Sequence, residues 1–194
     1  VLSKENLNRT KQEVDTIATL LEQFIYVHTE PDGLLCRYRA VLRVVGDVNN
    51  LPPSTVTAVQ DGVNLTKKHK EVIVNLCVVY SSRSEITTAI RQTVADCKLP
   101  IPIKSAPDQV ELGDNFLSSP QEITSDTITK RLAIPDSPID LLIRTGGDQR
   151  LSDFLLWQCH QETSIAFVKK YWPEFSIWQY FLTLREWQRG QESK

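Results

Sequence analysis

Methionine is absent from the 194 residues, and the chain opens Val1-Leu2-Ser3. Such a chain is expected to be a fragment or processed piece of a longer translation product. No apolar run approaches the length that would cross a bilayer. Neither sign of charge dominates: the formal net charge is −2, which removes any bulk electrostatic case for nucleic acid. Cysteines are few and scattered (Cys36, Cys77, Cys97, Cys159), with no CxxC pair. They read as reduced, mostly buried thiols of a cytosol-facing protein, without a zinc site or disulfide framework. No Gly-x-Gly-x-x-Gly turn follows a first strand, which argues against a nucleotide-binding module on a Rossmann-like sheet. Internal repeats are also missing.

What remains is an ordinary composition on a length that fits one domain with a sizeable core. Thr10 and Glu13 have capping-box spacing ahead of Val14, Ile17, Leu21, Phe24 and His28, which recur at helical period. Pro31-Asp32-Gly33 is a turn. Residues 39–45 alternate as a strand that Gly46-Asp47 ends. Pro52-Pro53-Ser54 opens a helix with Val56, Val59 and Val63 on one face, running to about Lys68. Val72 to Tyr80 is a valine-rich apolar run, the pattern of a strand buried on both faces. Ser81 or Ser82 caps a helix bearing Ile86, Ile90 and Val94. Residues 98–123, rich in proline, read as an irregular loop or insertion. A short helix at 124–132, a strand at 140–143, a short strand at 165–168 and a helix at 177–188 complete the chain. Strands alternating with helices predict an α/β domain with a mostly parallel central sheet covered on both sides.

The stretch Asp140-Leu141-Leu142-Ile143-Arg144-Thr145-Gly146-Gly147-Asp148-Gln149-Arg150-Leu151-Ser152-Asp153-Phe154 organises the rest. Strand, glycine pair and an apolar helix Phe154-Leu155-Leu156-Trp157 would place a ligand site beyond the strand's carboxyl end. Ser152 is the expected N-cap, so free amides of the first turn would face the point flanked by Arg144 and Arg150. Guanidinium groups, a hydroxyl and amides at one point suit a phosphate or diphosphate. The plainer reading pairs those arginines with Asp148 and Asp153.

Arg144 to Gln158 as a string resembles the signature of the cis-prenyltransferases, the undecaprenyl and dehydrodolichyl diphosphate synthases. The resemblance extends to Ser3-Lys4-Glu5-Asn6-Leu7-Asn8-Arg9, to Arg43-Val44-Val45-Gly46-Asp47, to the segment from Asn75 to Ile86, and to Tyr171-Trp172-Pro173-Glu174-Phe175. Ser82-Arg83-Ser84-Glu85-Ile86 and the region of His160 are closer to the eukaryotic dehydrodolichyl form. The resemblance implies a fold and a reaction. An allylic diphosphate such as farnesyl diphosphate ionises with the help of Mg²⁺. Isopentenyl diphosphate then attacks, a proton leaves, and a Z double bond is set. Repetition gives a long polyprenyl diphosphate for dolichol synthesis and protein glycosylation.

By position, the resemblance assigns isopentenyl diphosphate to Arg144, Arg150, Leu151 and Ser152, with Ser3 and Glu5 as further substrate contacts. Asn6 and Arg9 fall near the reacting carbons. Residues 13–28, 72–80 and 84–97 are the candidate walls of an apolar channel. The family's first motif, Asp-Gly-Asn-x-Arg-Trp, has no counterpart in the chain, and it carries the Mg²⁺ aspartate. No metal ligand is therefore assigned, although Glu162 lies near a position where bacterial members have one. The resulting expectation is a partial, N-terminally truncated cis-prenyltransferase domain over 1–194 that does not elongate chains alone. A homodimer or a heterodimer with a related subunit is implied. So is a peripheral place on the cytoplasmic face of the endoplasmic reticulum. The alternative is the non-catalytic partner subunit of a two-component enzyme, against which Arg150-Leu151-Ser152 weighs.

Overall fold

The computed structural model describes residues 2–3, 7, 9–96, 123–135 and 138–192. They fall into two compact units, Val1–Pro135 and Asp136–Lys194. The class is α/β as expected, and every strand pairing among the described residues is parallel. The loop expected at 98–123 lies outside the described residues apart from Ile123.

The first unit holds β1 (Leu2–Ser3), α1 (Lys11–Thr29), α2 (Leu34–Arg37), β2 (Ala40–Val45), α3 (Pro53–Thr66), β3 (Val72–Tyr80), α4 (Ser82–Asp96) and α5 (Ser125–Thr129). Its sheet runs β1-β3-β2, so β3 is central. The start of α1 is fixed as the sequence indicates: Glu13 N–H donates to Thr10 Oγ1 at 3.4 Å, and Thr10 N–H donates to Glu13 Oε2 at 3.2 Å. The Thr10 hydroxyl also donates to Glu13 Oε2 at 2.7 Å, and that bond, then the one from Thr10 N–H, holds the Glu13 carboxyl below its ordinary pKa.

The periodic face of α1 turns inward, with Val14, Ile17, Leu21 and His28 half-buried and Ile17 and Leu21 against the core, except at Phe24. Ala18, Ile25 and Thr29 are buried, whereas Phe24 is 40% exposed. The cause is close packing on α3, where a Cβ at Gly62 would meet Ile25 Cγ2 at 2.5 Å. Ile25, Leu35, Ala40, Leu42 and Val59 form one core cluster, and Leu51, Val78 and Val79 a second.

Among the described residues β2 lies at the edge of its sheet, and two of its outer backbone groups have side-chain partners. Leu42 N–H donates to the buried Thr66 Oγ1 at 3.0 Å, and His69 Nδ1 sits 3.0 Å from the Ala40 carbonyl. Such cover removes a template for intermolecular pairing. Thr66→Val keeps the shape but leaves the Leu42 amide unpartnered in the interior, so it is expected to destabilise the fold by about 1–3 kcal/mol. Urea unfolding measures this; a loss below about 0.5 kcal/mol would mean that water reaches the amide.

Two apolar patterns were only half right. β3 is buried from Cys77 to Tyr80, but Val72 and Ile73 at its start are exposed. On α4 the buried residues are Ser82, Ala89 and Thr93, leaving Ile90 and Val94 exposed. Small side chains face inward there, and the larger aliphatic row faces out. Cys77 is buried, and burial pushes its thiol up to about 11.

The second unit contains β4 (Leu141–Thr145), β5 (Ser164–Val168) and α6 (Ile177–Glu192), with β4 and β5 in a two-stranded parallel pairing. Gln179 N–H donates to Ser176 Oγ at 3.4 Å, and Ser176 N–H returns to Gln179 Oε1 at 3.0 Å, which starts α6. The helix exposes Ile177, Trp178, Phe181 and Leu182 and buries Thr183. The helix expected at 154–157 is absent, and residues 151–163 run through turns and bends.

Candidate active site

β4 delivers Arg144 and Thr145 to its carboxyl end, and the chain then reverses through Gly146 (φ 96°) and Gly147 (φ 81°). Space is not what selects glycine: the nearest atoms to an added Cβ lie 3.8 Å away at both positions. The left-handed angles select it. Gly146 N–H donates to the Lys170 carbonyl at 2.8 Å and Gly147 N–H to the Val168 carbonyl at 3.0 Å, which clamps the turn onto the end of β5. These two amides are therefore engaged and do not face a ligand.

Two guanidinium groups stand beside the turn. Arg144 Nη1 donates to Ser152 Oγ at 3.0 Å and to the Arg150 carbonyl. Arg150 Nε donates to the same Ser152 oxygen at 3.2 Å. Arg150 Nη2 donates to Asp148 Oδ2 at 2.7 Å, and Arg144 Nη2 lies 3.6 Å from that same carboxylate oxygen. Arg144, Arg150 and Ser152 are thus brought together as the sequence indicates, with Asp148 between the arginines. Arg144 is the more shielded, its side chain 24% exposed against 67% for Arg150.

Ser152 does not cap a helix. Its hydroxyl accepts from both arginines, and its own φ is 48°, with Asp153 at 58° and Leu155 at 47°. A run of left-handed residues cannot enter a right-handed helix. The expected cradle of first-turn amides is replaced by a side-chain cluster, which still suits a phosphate through forked charge-assisted bonds. Leu151 contributes backbone: its carbonyl accepts from Phe154 N–H at 3.1 Å.

The other assigned residues lie in the first unit. Ser3 sits in β1 in register with Tyr80. Arg9 is exposed just before the Thr10 cap, 3.9 Å from Glu13 across the first turn of α1. Glu5 and Asn6 lie outside the described residues.

A family model described as undecaprenyl diphosphate synthase matches residues 1–194. The chain belongs to the cis-prenyltransferase family. It is 36% identical to a dehydrodolichyl diphosphate synthase complex subunit of Schizosaccharomyces pombe over 187 residues, 96% of this chain and 65% of that protein. A human dehydrodolichyl diphosphate synthase complex subunit is 33% identical over 187 residues, 96% of this chain and 51% of that protein. The chain thus spans between half and two thirds of these relatives. The crystal structure of lavandulyl diphosphate synthase from Lavandula x intermedia in complex with dimethylallyl diphosphate superposes with a TM-score of 0.78 at 29% identity, covering 96% of this chain and 72% of that one.

Mg²⁺, the cofactor implied for this cis-prenyltransferase, can be tested against the donors present. No group of three or more His, Cys, Asp or Glu side chains is placed to hold a metal among the described residues. Asp148, the carboxylate among the two arginines, is already bonded there. Glu162 lies at the opposite end of the strands, lining a cavity of about 400 Å³ with Asp140, Trp187 and Gln191. The described residues therefore do not fit a protein-built Mg²⁺ site.

A second concavity was not anticipated. About 330 Å³ in volume, it opens at the carboxyl ends of β2 and β3 and is lined in part by Gly46, Asp47, Tyr80, Glu85 and Arg131. Tyr80 donates its hydroxyl to Glu85 Oε2, and Glu85 Oε1 accepts from Ile134 N–H at 3.2 Å. Burial, then the Glu85 carboxylate, pushes the Tyr80 hydroxyl well above its ordinary range, so it stays a donor. The available sequence signal was the segment from Asn75 to Ile86, which marked the region without indicating a cavity.

Proposed function

We propose that this chain supplies the isopentenyl diphosphate site of a cis-prenyltransferase. The enzyme would condense isopentenyl diphosphate onto an allylic diphosphate of the farnesyl type, with Z stereochemistry, and make long-chain polyprenyl diphosphate for dolichol synthesis. The observation that carries this reading is the convergence of Arg144 and Arg150 on Ser152 Oγ beside the glycine turn. Two forked cations at one strand end match the geometry and charge of a diphosphate. The S. pombe and human relatives are named as dehydrodolichyl diphosphate synthase complex subunits, and the lavender enzyme was solved with an allylic diphosphate, which supports the substrate class. The family match over 1–194 supports treating both units as parts of one cis-prenyltransferase domain.

Within this reading Ser3 and Glu5 contact substrate, and Asn6 and Arg9 act near the reacting carbons. The apolar side chains left exposed on α1 (Leu20, Phe24, Val27), on β3 (Val72, Ile73) and on α4 (Ile90, Val94) support those elements as channel walls. Mg²⁺ enters through carboxylates that the described residues do not provide. The chain pairs with a second copy or a related subunit. The exposed Trp172, Trp178, Phe181 and Leu182 supply an apolar face of the kind that marks such interfaces. The proposed place is peripheral, on the cytoplasmic face of the endoplasmic reticulum; no helix among the described residues is long and apolar enough to cross a membrane.

The competing reading, a non-catalytic subunit, draws on the word "complex" in the relatives' names. It gives no role to the intact Arg144–Arg150–Ser152 cluster. The deciding experiment is incorporation of radiolabelled isopentenyl diphosphate, with farnesyl diphosphate and Mg²⁺, by a longer chain that also carries the aspartate motif. Polyprenyl product lost in the Ser152→Ala variant supports catalysis by this chain. Product formed only by an added partner, and indifferent to Ser152, supports the rival.

A further inference from the structure

Asp148 occupies an unusual place for an acidic residue: both arginines of an anion-binding loop direct an Nη2 at one of its oxygens. The distances to Oδ2 are 2.7 Å from Arg150 and 3.6 Å from Arg144. The remaining bonds of the cluster do not involve Asp148. Arg144 Nη1 holds Ser152 and the Arg150 carbonyl, and Arg150 Nε holds Ser152. Removing the carboxylate would therefore leave the two arginines anchored, freeing the Arg150 Nη2 donor and taking the counter-charge from Arg144 Nη2. Both Nη2 groups lie about the spot that Asp148 Oδ2 now fills, the arrangement that a bridging phosphate oxygen requires.

We propose that Asp148 is an internal stand-in for a phosphate oxygen, displaced when diphosphate binds, so that ligand entry is an exchange of one anion for another. The inference rests on the reading of this loop as the diphosphate site. Exposure favours the exchange, since the Asp148 side chain is 53% exposed and can swing into water without crossing a packed core. Exchange also selects among ligands. A diphosphate brings enough charge to replace the carboxylate on both arginines, whereas a carboxylate or other monoanion gains little by doing so. Asp148 thus lowers affinity for weakly charged anions and keeps diphosphate binding reversible.

Calorimetric titration of the full chain with inorganic pyrophosphate tests this, using the wild type, Asp148→Asn, Asp148→Glu and Arg150→Ala. A solvent-exposed ion pair contributes on the order of 0.2–1 kcal/mol, so Asp148→Asn should bind pyrophosphate about 1.4- to fivefold tighter at low salt. The gain should vanish near 0.5 M salt, as expected of screened charges. Asp148→Glu, which keeps the charge, should stay within about twofold of the wild type. Equal or weaker binding by Asp148→Asn, with Arg150→Ala clearly weakened, overturns the exchange and leaves the diphosphate site standing. Pyrophosphate binding that ignores Arg150→Ala overturns both.

Discussion

Arg144→Ala should reduce kcat/KM for isopentenyl diphosphate about a hundredfold, and Arg150→Ala about tenfold, in a longer chain carrying the aspartate motif. The order follows from burial and connectivity. A hydrogen bond to a charged group is worth about 1.5–3 kcal/mol, and the upper end applies where solvent is excluded. Arg144 is the shielded member, and it also ties Ser152 to the Arg150 carbonyl, so its loss removes a ligand donor and loosens the loop. Arg150 stands largely in water, where screening reduces what one cation contributes. Arg144→Lys should recover little, because an ammonium cannot reach Ser152, the carbonyl and a ligand in one plane. Steady-state kinetics with isopentenyl diphosphate varied at saturating allylic substrate read these effects. Equal small losses at both positions would mean that the arginines only organise the loop.

Residues 1–194 alone should bind isopentenyl diphosphate yet incorporate it into polyprenyl product at least about a thousandfold more slowly than the longer chain. The departing allylic diphosphate needs fixed positive charge where its own negative charge develops, and each missing donor of that kind typically costs about a hundred- to a thousandfold in rate. On the proposed assignment the cationic cluster in the second unit holds the other diphosphate. The acidic residues near strand ends do not substitute. Asp148 is bonded to Arg150 and ion-paired with Arg144, Asp140 lines the cavity at the amino end of β4, and Asp47 lines the cavity beside Tyr80. Product from the short chain at a comparable rate would show that the aspartate motif is dispensable.

The parts of this fold set by local chemistry could be read from the sequence, and those set by tertiary partners could not. The Thr10–Glu13 box places the start of α1, and the Val72–Tyr80 run gives β3 with its ends. Neither tells which apolar residues stay uncovered. Ile90 and Val94 looked like a core face, yet the shorter Ala89 and Thr93 are the ones buried. The arginine cluster was legible because Arg144, Arg150 and Ser152 share one short string, and its counter-ion Asp148 was visible beside them. The missing helix was not legible. Leu155 has no residue-type preference for φ 47°, and the hydroxyl that should have capped the helix is taken by arginines. Asn6 and Glu5 remain expectations drawn from the family resemblance.

The Arg144–Arg150–Ser152 cluster is proposed to hold the diphosphate of isopentenyl diphosphate. Calorimetric titration of isopentenyl diphosphate into residues 1–194, wild type against the Arg144→Ala/Arg150→Ala double variant, tests it without requiring turnover. Saturable binding by the wild type, weakened at least about a hundredfold in a double variant that keeps its fold by circular dichroism, is the predicted result. Indistinguishable affinity in the two proteins would contradict it.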